Sequence, residues 1–185
     1  MTVFFTSDHH FSHKNVLKLC NRHFSDIVTH DETLVEAWNS VVAPEDVVYH
    51  LGDFTLGNGN TAVSFLVRLN GKKFISCLPW HHDKRWLFSD EAMLLSPAWD
   101  VIPALYVIER KQIGNDMPII LCHYPFETWD RSHYGSLHFH GHSHGNLPHI
   151  KNRLDVGVDN AYKLLGEYRP FSLGEAIEFA QTKGE

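Results

Sequence analysis

Carboxylates and imidazoles recur in short clusters along this chain: Asp8-His9-His10, Gly52-Asp53, His81-His82-Asp83, His123 and Gly141-His142-Ser143-His144. There are 15 histidines, more than the 12 glycines. That excess points to metal ligation, acid–base chemistry or a pH switch near histidine's ordinary pKa of about 6.5. Taken singly, each cluster has a bland reading. Asp-x-His can be a loop, Gly-Asp a turn, and His123 a core imidazole bonded to backbone. Two imidazoles two residues apart in a glycine-containing loop, at His142 and His144, are a more pointed signal for a chelate. Carboxylate with imidazole suits Mn, Fe, Zn or Ni better than Ca, and no cysteine is placed to select a soft metal.

The elements that must position these groups can be read from hydrophobic periodicity. Val3–Thr6, Val47–Leu51, Lys73–Cys77, Leu105–Ile108, Pro118–His123, Leu137–Phe139 and the alternation of Leu154, Val156 and Val158 all predict strands. Thr29-His30-Asp31-Glu32 reads as a capping box opening a helix through Leu34, Ala37, Trp38 and Val41. Val63, Leu66 and Val67 suggest another helix. Ser172 and Glu175 form a second capping box before Leu173, Ala176, Ile177 and Ala180. Strand–helix alternation predicts an α/β layered domain. Asp8, His10, Asp53, His81, His82 and His123 fall just beyond strands, where open α/β sheets bind their ligands.

Composition narrows the classes. A length of 185 residues predicts a single domain over 1–185, and 43% hydrophobic with 21% charged residues is an ordinary globular balance. No apolar run approaches the roughly 20 residues of a membrane span. Met1–Asp8 does not read as a signal peptide. Cys20, Cys77 and Cys122, odd in number and widely spaced, fit a reducing, cytoplasmic setting. The net charge of -6 argues against bulk nucleic-acid or anionic-membrane binding.

As an ordered set, the clusters resemble the calcineurin-like metallophosphoesterases, whose motifs are Asp-x-His, Gly-Asp, Gly-Asn-His-Asp/Glu, an isolated His and Gly-His-x-His. The match runs from residue 3 to about 160, with the flavour of the small phage and bacterial type. It implies a four-layer α/β/β/α sandwich with two divalent transition metals at the sheet edge. Matched position by position, Asp8, His10 and His144 would hold one metal and Asp53 would bridge to the other. His123, His142 and His81, at the family's Asn position, would complete the second site. The implied reaction is hydrolysis of a phosphodiester or phosphomonoester by a hydroxide shared between the metals. His82 would protonate the leaving oxygen and Asp83 would orient the His82 ring. The implied substrate is a small phosphoester, nucleotides among the candidates, with no membrane partner.

The sequence departs from the family at Trp80-His81, where Gly-Asn is usual. His81 could replace Asn as ligand, or the second metal could be weak or absent. A third alternative is a degenerate member serving as a metal-binding interaction module. Other residues have weaker claims. His13 could meet a substrate phosphate, as could Arg131 and His133. His138 and His140 could buttress the site. Phe126, Trp129 and Tyr134 could wall a nucleobase, though ordinary packing accounts for them better.

Overall fold

The computed structural model describes residues 1–77, 82–94, 99–109, 111, 114 and 117–182. It is an α/β fold with two mixed sheets. In the first, β1 (Val3–Thr6), β2 (Val47–His50), β3 (Lys72–Cys77) and β4 (Trp99–Pro103) are parallel, and β9 (Phe171–Ser172) lies antiparallel to β1; the order is β4-β3-β2-β1-β9. The second sheet has the order β5-β6-β7-β8. Here β5 (Leu105–Ile108) runs antiparallel to β6 (Ile119–Cys122), while β6, β7 (Leu137–His140) and β8 (Arg153–Asp155) are parallel.

Strand alternation sorts the core in two. Phe4, Val48 and Ile75 pack with Leu34 and Trp38 of α2 (Ile27–Val41) and with Phe65 and Leu66 of α3 (Gly59–Leu66). Phe5 and Tyr49 belong to a second cluster with Leu121, Leu137 and Phe139 of the other sheet. Phe5 meets the Phe139 ring edge-on at 4.9 Å. Burial on both faces explains why these parallel strands read as near-continuous apolar runs. The short helix α1 (Val16–Leu19) follows the loop after β1, and two more, α4 (Lys84–Leu87) and α5 (Asp90–Met93), lie between β3 and β4. No helix among the described residues is long and apolar enough to cross a membrane.

Two local expectations shift, and a third is met. The helix expected from Thr29 begins earlier, because the Asp26 carboxylate caps it by accepting the Thr29 N–H at 2.8 Å. The strand expected through Val158 ends at Asp155, and Val158 opens α6 (Val158–Leu165) after Gly157. Phe126 and Trp129 pack on His138, the former stacked at 4.8 Å. His138 donates from Nδ1 to the Ile120 carbonyl (3.0 Å) and accepts the Phe126 N–H at Nε2 (3.1 Å). Packing is the observed role of all three.

The last helix, α7 (Leu173–Gln181), has the capping box foreseen at Ser172 and Glu175. Arg169 grips the same carboxylate at 2.7 and 3.1 Å. These Arg169 bonds, opposed by burial and aided by Ser172, pull the Glu175 pKa down from 4.5 to about 2. A depressed carboxylate contributes stability above its ordinary value and loses it as pH falls through the folded one. The pair is partly exposed, so screening limits the contribution to about 1 kcal/mol. Glu175→Gln should lose about that much stability to urea at neutral pH, and its acid limb between pH 4.5 and about 2 should be shallower. An unchanged acid limb would refute the assignment.

Candidate metal centre

Parallel strands end along one edge of each sheet, and the polar clusters extend from those ends. Asp8 and His10 follow β1, Asp53 follows β2, His123 follows β6, and His142 and His144 follow β7. The loops are zipped together by main-chain bonds. Asp8 N–H donates to the Gly52 carbonyl (3.0 Å), His10 N–H to that of Asp53 (2.9 Å), and Gly141 N–H to that of His123 (2.9 Å). Gly141 is required by proximity, since a Cβ there would stand 2.2 Å from Ser7 Oγ and 2.6 Å from Asp8 Oδ2.

The ligand atoms of Asp8, His10 and His144 all lie within 4.8 Å of one another, and so do those of Asp53, His123 and His142. Asp53 Oδ2 sits between the groups, 3.5 Å from His10 Nε2 and 3.6 Å from His123 Nε2. His123 donates from Nδ1 to the Leu51 carbonyl at 3.1 Å. Its Nε2 lone pair therefore faces a carboxylate oxygen. An imidazole locked by such an outer bond, with its other nitrogen aimed at a carboxylate, is suited to ligate a metal. The donor set fits a divalent transition metal.

Backbone strain concentrates at the same residues. Asp8, His10, Asp53, His142 and His144 all have φ between 50° and 67°. Each such residue costs about 1–3 kcal/mol and persists only where its surroundings enforce it. The charges are equally strained. Burial, with nearby Asp155 and Asp53, raises Asp8 to about 8, although His144 and the His142 N–H oppose it. Burial lowers His10 to about 3. His144 is raised to about 11, where burial is outweighed by Asp159, Cys20 and Asp8.

Two braces hold the loops. Arg22, almost fully buried, donates to the carbonyls of Asp8 (2.6 Å) and His9 (2.9 Å), to both oxygens of Asp159 (2.8 and 2.7 Å) and to His30 Nε2 (2.8 Å). All five of its donors are used. Asp159 in turn accepts from His144 Nδ1 at 2.5 Å, presenting Nε2 to Asp8 and His10. Burial raises the Asp159 pKa, but Arg22 and His144 overcome it and bring it to about 2. Cys20 Sγ lies 3.3 Å from the same His144 nitrogen. Cys20, His144 and Asp159 are close enough to chelate, yet Arg22 already neutralises that carboxylate. The trio acts as a brace.

The second brace is a pair of buried imidazoles. Gly52 N–H donates to His50 Nδ1 (3.2 Å), so His50 Nε2–H donates to His9 Nδ1 at 3.0 Å. The His9 proton is then on Nε2, buried without a hydrogen-bond partner beside the Trp38 ring. This ties the Asp8-His9-His10 loop to the one before Asp53.

The remaining candidates are distributed unevenly. Trp80 and His81 lie outside the described residues. His82 is exposed and close enough to His13 to disfavour charging it, after burial the largest influence lowering the His13 pKa. Asp83 is buried, and its carboxylate accepts the N–H groups of Phe54 (3.1 Å) and Thr55 (3.1 Å) and the Trp86 indole (2.8 Å). It thereby fixes the turn beside Asp53. Tyr124, overlooked in the sequence, places its ring against His142 at 4.8 Å and His123 at 5.1 Å. Tyr134, Arg131 and His133 are exposed on another loop, where Arg131 pairs with Asp130 at 3.8 Å. Asp155, the last residue of β8, and Asp159, just beyond it in α6, had a sequence signal, since they sit at a strand end as the ligand candidates do. Arg22 had none.

The solved structure of a protein of unknown function, AQ665 from Aquifex aeolicus, shares this fold with a TM-score of 0.64 at 22% identity, covering 96% of this chain and 98% of that one. No family model matches the chain. The chain belongs to the family of the uncharacterized protein MJ1445 of Methanocaldococcus jannaschii, to which it is 33% identical over 97% of its own length and 91% of that protein's. The Gene 66 protein of Mycobacterium phage L5 is 28% identical, covering 85% of this chain and 86% of that protein.

Two predictions follow from strain and charge. Arg22→Met should cost about 3–5 kcal/mol in urea unfolding, because buried Asp159 loses its guanidinium partner and the Asp8 and His9 carbonyls lose their donors. Adding Asp159→Asn should recover part of the loss; a purely additive double variant would contradict the pairing. His142→Gly should relieve a left-handed backbone at an exposed side chain. In chelator its stability should rise by up to about 1 kcal/mol, while metal uptake falls. A loss of stability would show that the ring contacts outweigh the strain.

Proposed function

We propose that this chain is a metal-dependent phosphoesterase of the calcineurin-like type, in its small phage and bacterial form. The observation that carries the reading is the pair of ligand groups meeting at Asp53, with five of the six residues held in left-handed backbone. Backbone strain of that kind clusters at functional sites. The α/β/β/α layering belongs to the same proposal, supported by the two apolar clusters to which the alternate residues of β1 contribute.

Asp8, His10 and His144 would hold one divalent metal, and His123 and His142 the other, with Asp53 shared. Metals held there would supply Lewis-acid chemistry, lowering the pKa of a bound water and stabilising charge in a phosphoryl transfer. The residues do the rest. Asp159 and the Leu51 carbonyl keep the His144 and His123 rings in the tautomer that offers Nε2. Asp83 holds the Phe54 and Thr55 N–H groups, and through them the Asp53 turn. His82, exposed at the mouth near His13, delivers a proton to the leaving oxygen. A phosphodiester is the favoured substrate class, a phosphomonoester the alternative.

The test is turnover of bis-p-nitrophenyl phosphate and p-nitrophenyl phosphate with Mn, Ni, Zn and Mg. Activity should need added metal, with about two ions bound per chain, and Asp53→Asn should lower kcat/KM at least about a hundredfold. His82→Ala should lower kcat with little change in metal content. No turnover of either ester with any metal would favour a metal-binding interaction module instead.

A further inference from the structure

Behind the loop that carries His142 and His144 lies a cavity of about 280 Å³. Ser143 and Gly145 form part of its wall, and Leu147, Ile150, Leu154, Leu164 and Phe179 supply an apolar lining. Arg153 and Asp155 also reach it. They stand two residues apart on one face of β8.

These two charges are compensated very differently. The Asp155 oxygens accept from Ser143 Oγ (2.6 Å), Gly145 N–H (2.7 Å) and Gly157 N–H (2.8 Å). That carboxylate is fully engaged in holding the metal loop. Arg153 is only 8% exposed, yet it donates to just two main-chain carbonyls, of Phe126 (3.1 Å) and Pro148 (2.9 Å). Among the described residues no carboxylate pairs with it, and three of its five N–H donors have no protein partner. Burial disfavours the Arg153 charge by more than nearby Asp155 and Glu127 favour it, and an anion seated on its unused donors would redress that balance.

We propose that this cavity binds a small organic carboxylate. The planar carboxylate matches the fork of Arg153, which favours two parallel hydrogen bonds. The apolar body would lie on Leu147, Ile150, Leu164 and Phe179, a lining that favours a carboxylic acid with a hydrocarbon body over inorganic phosphate. Because Ser143 and Gly145 are shared with the metal loop, the occupant would act as an effector of the site in front. The cavity is distinct from both ligand groups, and its test needs neither metal nor turnover.

Calorimetric titration of the full chain with acetate, isovalerate, phenylacetate and uncharged 2-phenylethanol decides the matter. Phenylacetate should bind saturably and at least about tenfold more tightly than acetate, and 2-phenylethanol should not bind. Arg153→Met should weaken phenylacetate by at least about tenfold. That substitution also removes two main-chain contacts, so Leu164→Trp, which fills the cavity with Arg153 intact, serves as the second variant and should weaken phenylacetate likewise. If the Met variant does not fold, the Trp variant decides. Absence of saturable phenylacetate binding to the parent chain overturns the proposal. So does equal binding of 2-phenylethanol, or undiminished binding in the folded variants.

Discussion

The site rests on one buried guanidinium. Arg22 spends all five donors within the fold, on two main-chain carbonyls, a carboxylate and an imidazole. The carbonyls belong to Asp8 and His9, so the residue that neutralises Asp159 also pins the first loop in its left-handed path. His30, which accepts from Arg22, is tied at Nδ1 to Asp31, whose other oxygen holds the Ser12 N–H at 2.9 Å. Helix α2, the first loop and α6 are joined through a few shared hydrogen bonds. Removing one member leaves others buried and unpaired, which is far costlier than the net worth of any single bond.

The same logic extends outward. Asp8, Asp53 and Asp155 crowd at the strand ends, and burial raises Asp8 towards neutrality. Asp83 accepts the main-chain N–H groups beside Asp53, and Asp155 those beside His144. Carboxylates thus play two parts here: some face inward as ligand candidates, while others stiffen the turns that carry them. The price is a strained, electrostatically frustrated core, a cost that natural proteins concentrate where function demands it.

Much of the fold was legible because buried parallel strands and amphipathic helices leave simple periodic traces. Val3–Thr6, Val47–His50 and the Ser172–Glu175 cap are local patterns, and local physics suffices to form them. The start of α2 was misplaced because Thr29–Glu32 also satisfies the capping pattern, and only the Asp26 side chain reaching Thr29 N–H decides between them. Phe126 and Trp129 were ambiguous for a similar reason. An aromatic ring that stacks on a base and one that packs on His138 look alike in sequence.

By itself, the sequence determined the α/β alternation and placed the chemistry-bearing residues just beyond strand ends, since side-chain period and strand polarity are properties of the chain alone. It also displayed the ordered clusters from Asp8 to His144. Tertiary structure alone decided that Asp53 lies between His10 and His123, that five of these residues take positive φ, and that Arg22, 137 positions from Asp159, is its partner. Ion pairs and hydrogen bonds at that separation leave no periodic trace. They exist only once the apolar faces have packed and brought the loops together.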